Sequence, residues 1–178
     1  CEHVNLSNNY IFNMTDYGAY LFADSANVTF SDNELLGNVS IVDAADSQFI
    51  NNNITDCTSC INDTSAGLNY LVYNNSYGQI KWGKTNLTTN VELVVNETLF
   101  LENNTVGLTD NFNMLALNSS AEIEIRNISY SVTPLLLKDG VRCDHTDSCN
   151  VSYDVANEIL FANVSSFSNY TTNVTCWD

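Results

Sequence analysis

Asparagine and hydroxyl residues alternate with apolar residues along most of the chain, in the pattern Asn-X-Ser/Thr. The pattern occurs sixteen times. Successive side chains of a β-strand point to opposite faces, so the pattern places Asn and Ser/Thr outward and the middle residue inward. In eleven occurrences the middle residue is apolar: Leu6, Met14, Val28, Val39, Ile54, Leu87, Ile128, Val151, Val164, Tyr170 and Val174. Helical periodicity is scarce outside a short segment at 110–117, so the predicted fold class is all-β.

A motif of the form apolar-x-x-Asn-x-apolar recurs in the first half of the chain. Clear copies are Leu6…Asn9…Ile11, Phe30…Asn33…Leu35 and Phe49…Asn52…Ile54. Weaker matches follow at Leu71…Asn74…Ser76 and Leu101…Asn104…Val106. Coils of about 20–24 residues with an Asn at a fixed corner predict a short parallel β-helix whose Asn side chains stack in a ladder. Coincidence in an Asn-rich chain is the alternative.

The second half has longer apolar runs, which predict an antiparallel β layer or sandwich packed on the end of the coil. These runs are Val91–Val95, Thr98–Glu102, Ala121–Ile128, Val132–Leu137 and Glu158–Val164. A solenoid end needs such a cap because its last turn otherwise exposes core and strand edges. We therefore expect β-helix-like repeats over residues 1–80 and a β-rich domain over 81–178. The alternative architecture is a single β-sandwich.

The surface chemistry of the chain is unusual. Charged residues form 15% of the 178 residues, against about 25% in typical domains, and the net charge is −16. Such acidity argues against nucleic acid as a partner and against anionic membrane surfaces. The apolar runs are too short to span a bilayer. The chain has neither an initiator Met nor a leader at its start, which suggests either a processed form or a piece of a longer protein.

The Asn-X-Ser/Thr pattern is also the acceptor sequence for N-glycosylation. Chance pairing would give about 5 such sites in a chain of this composition. Sugars on the outward Asn residues would hydrate a surface that carries little charge. The predicted acceptors are Asn5, Asn13, Asn27, Asn38, Asn53, Asn62, Asn74, Asn86, Asn96, Asn103, Asn118, Asn127, Asn150, Asn163, Asn169 and Asn173.

An even number of cysteines in a chain of this kind favours disulfide bonds. The six are Cys1, Cys57, Cys60, Cys143, Cys149 and Cys176. Cys143 and Cys149 bracket a short loop and form the firmest predicted pair. Cys57 and Cys60 suit a local disulfide, with a redox pair or half a zinc site as alternatives. Cys1 with Cys176 would then join the termini, unless Cys1 is lipid-modified.

Several stretches resemble archaeal cell-surface glycoproteins that are predicted to contain right-handed parallel β-helix repeats. The likeness lies in the Asn-corner turns and, more specifically, in three C-terminal runs: Leu117–Ile123, Leu137–Cys143 with Cys149, and Phe161–Tyr170. The resemblance implies an extracellular, glycosylated structural role without an assigned active site. The chain is shorter than long β-helix proteins, and its fourth repeat, Leu71…Asn74…Ser76, matches the motif poorly.

Two groups of acidic residues are candidate chemical sites. Asp24 and Asp46 occupy equivalent positions in successive coils, where they could form an acid/base pair, as in polysaccharide-cleaving β-helix enzymes. Asp139, Asp144 and Asp147 could hold Ca²⁺ through oxygen ligands. Solvated corner residues and a polar disulfide loop explain them more simply. No catalytic residue, metal or cofactor is therefore predicted, and the chain is not expected to be an enzyme.

These features together predict a secreted, heavily N-glycosylated structural protein that self-assembles into an extracellular filament or surface sheath. Its partners would be further copies of itself and its covalent glycans. An assembly surface must lack bulky sugars, and the longest stretch without an acceptor runs from Asn127 to Asn150. The interface is expected to include Val132, Leu135, Leu136, Leu137, Lys138, Val141 and Arg142. The alternatives are a carbohydrate-binding or carbohydrate-cleaving module and a monomeric adhesin or envelope ectodomain.

Overall fold

A computed structural model describes residues 2–11, 19–21, 26–42, 44–65, 69–85, 87–109, 117–143 and 149–173. The described residues form four β-sheets, and the chain is all-β with parallel and antiparallel layers. The predicted fold class is confirmed. The segment at 110–117, where helical periodicity is least scarce, lies outside the described residues, apart from Leu117.

The first part of the chain winds through three coils, each with three strands. The first coil has β1 (Glu2–Ser7), β2 (Tyr10–Ile11) and β3 (Ala19–Leu21). The second has β4 (Ala26–Ser31), β5 (Glu34–Leu36) and β6 (Val39–Ile41), and the third has β7 (Gln48–Ile50), β8 (Asn53–Thr55) and β9 (Ile61–Asp63). Equivalent strands pair in parallel, as β1-β4-β7, β2-β5-β8 and β3-β6-β9. This arrangement is the predicted parallel β-helix.

Apolar side chains form continuous rows inside the coils because the register aligns equivalent positions. Phe30 pairs with Phe49, and their stacked ring centroids lie 5.3 Å apart. Leu35 and Ile54 pair along the second sheet and are both fully buried. Each coil therefore buries the row of the next, which is what gives a solenoid of short strands its stability.

The repeated Asn residues form the predicted ladder at the first corner. Asn33 Oδ1 accepts hydrogen bonds from the backbone N and the Nδ2 of Asn9, at 2.9 and 3.1 Å. Asn52 Oδ1 accepts the same pair from Asn33, at 3.1 and 2.9 Å. The Nδ2 atoms of Asn33 and Asn52 also donate to the carbonyls of Leu6 and Phe30, respectively. The buried amides are thus satisfied between coils, which avoids the cost of unpaired polar groups.

The residue before each ladder asparagine makes the turn. Asn8, Asp32 and Asn51 all have left-handed backbone conformations, with φ of 56°, 54° and 52°. Asn and Asp tolerate this region better than other residues with a Cβ. Each corner is therefore a pair of residues: the first bends the chain outside, and the second bonds to the next coil inside.

The third coil is capped by the chain that follows it. After β10 (Asn69–Asn74), which pairs in parallel with β7, the chain turns back into the antiparallel strand β11 (Gly78–Thr85). The segment after β11 then crosses the other two sheets, where Leu93 bridges Ile54 and Thr89 bridges Ile61. The predicted capping is confirmed, but the expected strand Val91–Val95 is wrong. Its residues make isolated bridges because they run along a coil end rather than within a sheet.

The remaining strands are antiparallel. They are β12 (Leu99–Glu102), β13 (Thr105–Leu108), β14 (Ala121–Arg126), β15 (Leu135–Lys138), β16 (Val141–Arg142), β17 (Asn150–Asp154), β18 (Ile159–Val164) and β19 (Tyr170–Asn173). One sheet has the order β1-β4-β7-β10-β11-β14-β18-β17, and a second has β12-β13-β19-β15-β16. The first and second parts of the chain therefore share an eight-stranded sheet. The division into domains at residue 80 stays a prediction.

The two weaker repeat matches do not form coils. Asn74 ends β10, and the next residue starts a tight turn in which Asn75 Oδ1 accepts hydrogen bonds from the backbone N of Tyr77 and Gly78. Asn104 lies in the β12–β13 turn with φ of 61°. The same turn-forming property of Asn thus serves hairpins as well as coil corners, so the motif alone does not distinguish them.

We predict that Asn33→Ala lowers the free energy of unfolding by about 2–4 kcal/mol, because it removes the buried hydrogen bond to Asn52 Oδ1 and the partly buried ones with Asn9 and the Leu6 carbonyl. Asn9→Ala, at the exposed end of the same ladder, is the matched control and should cost about 1 kcal/mol or less. Chemical denaturation of both variants gives the comparison. Equal losses would show that the ladder does not hold the coils together.

Candidate functional site

The predicted glycan acceptors lie at the surface. Asn13 and Asn86 are outside the described residues; of the other fourteen, none is buried. Asn38, Asn53 and Asn169 are half-buried, and the remaining eleven are exposed. The exposed acceptors are Asn5, Asn27, Asn62, Asn74, Asn96, Asn103, Asn118, Asn127, Asn150, Asn163 and Asn173.

The middle residues of the acceptor sequences point the other way. Seven of the nine described apolar ones are buried: Val28, Val39, Ile54, Leu87, Ile128, Val164 and Tyr170. Val151 is half-buried on the edge strand β17, and Leu6 is 39% exposed on the first coil. The predicted alternation is therefore present, and its exceptions lie where a neighbouring strand is missing on one side of the described structure.

All of the buried asparagines within the described residues lack the acceptor sequence. Asn33, Asn52 and Asn69 have exposed fractions of 2% or less. The residue two positions later is apolar in each case: Leu35, Ile54 and Leu71, respectively. Asn33 and Asn52 belong to the ladder. Asn69 Oδ1 accepts from the backbone N of Ser47 at 3.0 Å, and its Nδ2 donates to Ser65 Oγ at 2.7 Å. The buried asparagines thus lie outside acceptor sequences. An acceptor can still make structural bonds, since Asn38 Oδ1 accepts from the backbone N of Thr58 and of Ser59.

A buried acidic residue escaped the sequence analysis. Asp63 is the middle residue of the acceptor sequence that begins at Asn62, and it is only 2% exposed. Its Oδ1 accepts from the backbone N of Ser65 at 2.9 Å and from the Ser65 hydroxyl, and its Oδ2 accepts from the backbone N of Leu87 at 3.2 Å. These bonds tie the last coil to the capping segment, so the role of Asp63 is structural. Its burial follows from the same alternation that buries apolar middle residues.

The end of the ladder is closed by a tyrosine that the sequence did not single out. Tyr73 is fully buried, and its hydroxyl donates to the backbone carbonyl of Asn52 at 2.7 Å. Burial raises the pKa of Tyr73 well above its ordinary value, so the hydroxyl keeps its proton and remains a donor.

The acceptors are distributed over every sheet. Asn5, Asn27, Asn74, Asn150 and Asn163 lie on strands of the eight-stranded sheet. Asn53 and Asn62 lie on the other two coil sheets, Asn173 lies on the five-stranded sheet, and most of the rest lie in turns or bends. Occupied acceptors would therefore surround the molecule rather than mark one patch.

Two of the predicted disulfides are present. Cys57 pairs with Cys60 and Cys143 with Cys149, with Cα–Cα distances of 4.9 and 5.8 Å. The alternatives of a redox pair or half a zinc site for Cys57 and Cys60 are not needed, because the bond closes a turn beside the coil. Cys1 and Cys176, the third predicted pair, lie outside the described residues.

The acid/base hypothesis has no geometric test, because Asp24 lies outside the described residues. Asp46 is an exposed corner residue with φ of 55°. A carbohydrate-binding groove at this corner would need an accessible aromatic ring, but Trp82 is fully buried and donates to the Leu117 carbonyl at 2.9 Å. Tyr70, which was not predicted, shares a depression of about 440 Å³ with Asp46.

The suggested Ca²⁺ loop is likewise only partly described. Asp144 and Asp147 lie outside the described residues, and the Asp139 carboxylate accepts hydrogen bonds from Ser168 Oγ at 2.6 and 2.7 Å. Within the part of the chain that the structure describes, no group of three or more His, Cys, Asp or Glu residues could hold a metal ion.

The predicted interface segment is mixed in exposure. Leu136 is buried in the core, whereas Val132 and Val141 are 59% and 51% exposed. Leu135, Leu137, Lys138 and Arg142 are half-buried. Leu135 pairs directly with the acceptor Asn173 on β19. A stretch without acceptors in sequence is thus close to one in space, and its most exposed apolar residues are Val132 and Val141.

Comparison with protein-family models, curated proteins and solved structures found no match. Among the described residues, no helix has the length and apolar character needed to cross a membrane.

Proposed function

We propose that this chain is an extracellular, densely N-glycosylated structural protein of the cell-surface type that its residues resemble. The carrying observation is the separation of its asparagines. Every described acceptor reaches the surface, whereas Asn33, Asn52 and Asn69 are buried and lie outside acceptor sequences. Alternation alone keeps an inward asparagine out of an acceptor sequence, because the residue two positions later also points inward. The number of acceptors, sixteen where chance pairing gives about 5, therefore also supports the proposal. The two disulfides are compatible with an oxidising compartment.

Glycosylation is tested by the intact mass of the protein from a secretory host, before and after enzymatic removal of N-glycans. We expect most of the eleven exposed acceptors to be occupied. Asn169 should be among the least occupied, because its Oδ1 is enclosed, and a Cβ on Gly107 would lie only 2.9 Å from that atom. Negligible sugar mass in a protein that was secreted and folded would contradict the proposal.

We further propose that the protein assembles with copies of itself through the first coil. In the described residues, β1, β2 and β3 are each paired on one side, whereas the opposite end is capped at Leu93 and Thr89. The inward side chains of the first coil are also less covered than those of the second. Leu6 is 39% exposed, while its partner Phe30 is 5% exposed. Open parallel edges beside exposed apolar side chains favour strand pairing with another copy.

A filament needs a second contact, because pairing of identical coil ends closes into a dimer. The predicted segment at 132–142 supplies a suitable surface at β16, which is the last strand of its sheet within the described residues. Val141 is exposed there, and Arg142 adds one of only five basic residues on a chain of net charge −16. A positive residue at this edge would favour an acidic neighbour.

Leu6→Lys should weaken assembly, because it places a charge among the apolar side chains of the coil end while preserving the acceptor sequence at Asn5. Val155→Lys is the control, since Val155 is 55% exposed in the β17–β18 turn. Light scattering and negative-stain imaging should show larger species for the unmodified protein and for Val155→Lys, and smaller ones for Leu6→Lys. Monomeric unmodified protein, or equal assembly by both variants, would contradict the proposal.

A further inference from the structure

Phe161 lies on the outer face of the eight-stranded sheet and is 39% exposed. Of the phenylalanines that the structure describes, it alone is classed as exposed. Its cross-strand neighbours are Glu124 and Ser152, so the ring stands on a polar face. An exposed apolar side chain is common by itself and needs no ligand to explain it. What distinguishes Phe161 is its position relative to a glycan acceptor.

Asn163 follows Phe161 by two positions on β18, so the two side chains project from the same face of the strand. The separation along the strand is about 6–7 Å. The exposed, buried, exposed pattern of Phe161, Ala162 and Asn163 agrees with this placement. Both side chains line one depression of about 250 Å³, together with Gln79, Glu122 and Glu124. A glycan attached to Asn163 would therefore start at the rim of a depression that contains an aromatic ring.

A related combination occurs a second time on this sheet, with the ring two strands away from the acceptor, across β7. The depression of about 440 Å³ is lined by the exposed acceptor Asn27 and by the half-buried Tyr70. The Tyr70 ring lies across Gly83 on β11, where a Cβ would come within 3.3 Å of two ring atoms. Glycine at this position thus allows the ring to lie against the sheet. Asp46 and Gln48 also line this depression. Lys81 Nζ lies over the ring, 5.9 Å from its centroid, and pairs with Glu122 at 3.0 Å.

Pyranose sugars have an apolar C–H face and a rim of hydroxyl groups. The apolar face packs on aromatic rings, whose π-systems present partial negative charge to the C–H groups. The hydroxyl groups need hydrogen-bonding partners, which the surrounding Gln, Glu, Asp and Lys side chains can supply. An acceptor, a ring and polar side chains are thus brought together at both depressions.

We propose that the glycan on Asn163 folds back onto the sheet and packs its first sugar against Phe161, and that the Asn27 glycan does the same against Tyr70. This inference depends on the proposed glycosylation. The glycans at these acceptors then contribute to the stability of the fold, in addition to hydrating the surface. Acceptors in turns, such as Asn96, carry glycans that extend into solvent.

The first test is the rate at which an N-glycan-cleaving enzyme acts on each acceptor of the native protein, followed by site-resolved mass spectrometry. A glycan packed on Phe161 should be cleaved about fivefold more slowly at Asn163 than at Asn96. Phe161→Ser, which keeps the acceptor sequence, should raise the Asn163 rate to that of Asn96 and leave the Asn96 rate unchanged. Tyr70→Ser should have the same selective effect at Asn27.

The second test is a double-mutant cycle in thermal unfolding. Ser165→Ala removes the acceptor sequence at Asn163 and leaves Phe161 and Asn163 in place. The loss of the glycan should lower the Tm when Phe161 is present and should have no effect in the Phe161→Ser background. The same cycle in protein from a host without N-glycosylation should show no coupling between the two substitutions, which removes purely structural effects.

The outcomes separate this inference from the proposed function. Occupied acceptors with equal cleavage rates and no coupling would overturn the packing of the glycans while leaving the glycoprotein proposal intact. Empty acceptors at every position would overturn both. Binding of free chitobiose to the Ser165→Ala protein at micromolar concentration, without coupling in the cycle, would assign the depression to an external saccharide and would also overturn the inference.

Discussion

The structure depends on the opposite orientation of successive side chains in a β-strand, combined with the amide hydrogen bonds that asparagine makes inside a coil. In the first half of the chain, inward asparagines accept and donate between coils, and Asn33 is bonded both to Asn9 and to Asn52. Outward asparagines one or more positions away reach solvent. A residue type that is usually confined to turns thus serves in the interior, in the corners and at the acceptor sites of one fold.

The alternation of inward and outward side chains also determines where acceptors can lie on the surface. Most apolar middle residues of the described acceptor sequences fill the core, as Ile54 does, and the described acceptors beside them are exposed or half-buried. Where the middle residue is polar, as at Asp63, the interior provides Ser65 and Leu87 as hydrogen-bonding partners. Acceptors occur on strands of all four sheets, although β15 and β16 carry none. The coil end and the β16 edge are the surfaces proposed for contact with another copy.

Sequence reasoning was sufficient for local features and insufficient for those that depend on pairing. The ladder at Asn9, Asn33 and Asn52 was predictable because its copies share spacing and flanking apolar residues. The sequence did not predict that Asn74 and Asn104 lie at hairpins rather than at coil corners, since both kinds of turn use the same turn-forming residue. The shared face of Phe161 and Asn163 was predictable, because residues two positions apart on one strand project to the same side of the sheet. Tyr70 and Asn27 line one depression because β4, β7 and β10 lie side by side in the sheet, and the sequence does not predict that strand order.

The separation of inward and outward asparagines is tested most directly by the hydrogen exchange of their side-chain amides. Protein labelled with ¹⁵N at asparagine, made without glycosylation and with its disulfides formed, would be transferred to deuterated buffer and followed by NMR. Among the described residues, the amides of Asn33, Asn52 and Asn69 should remain protected, while those of the exposed acceptors exchange at once. Rapid exchange at all three buried positions, or protection at the acceptors instead, would contradict the account.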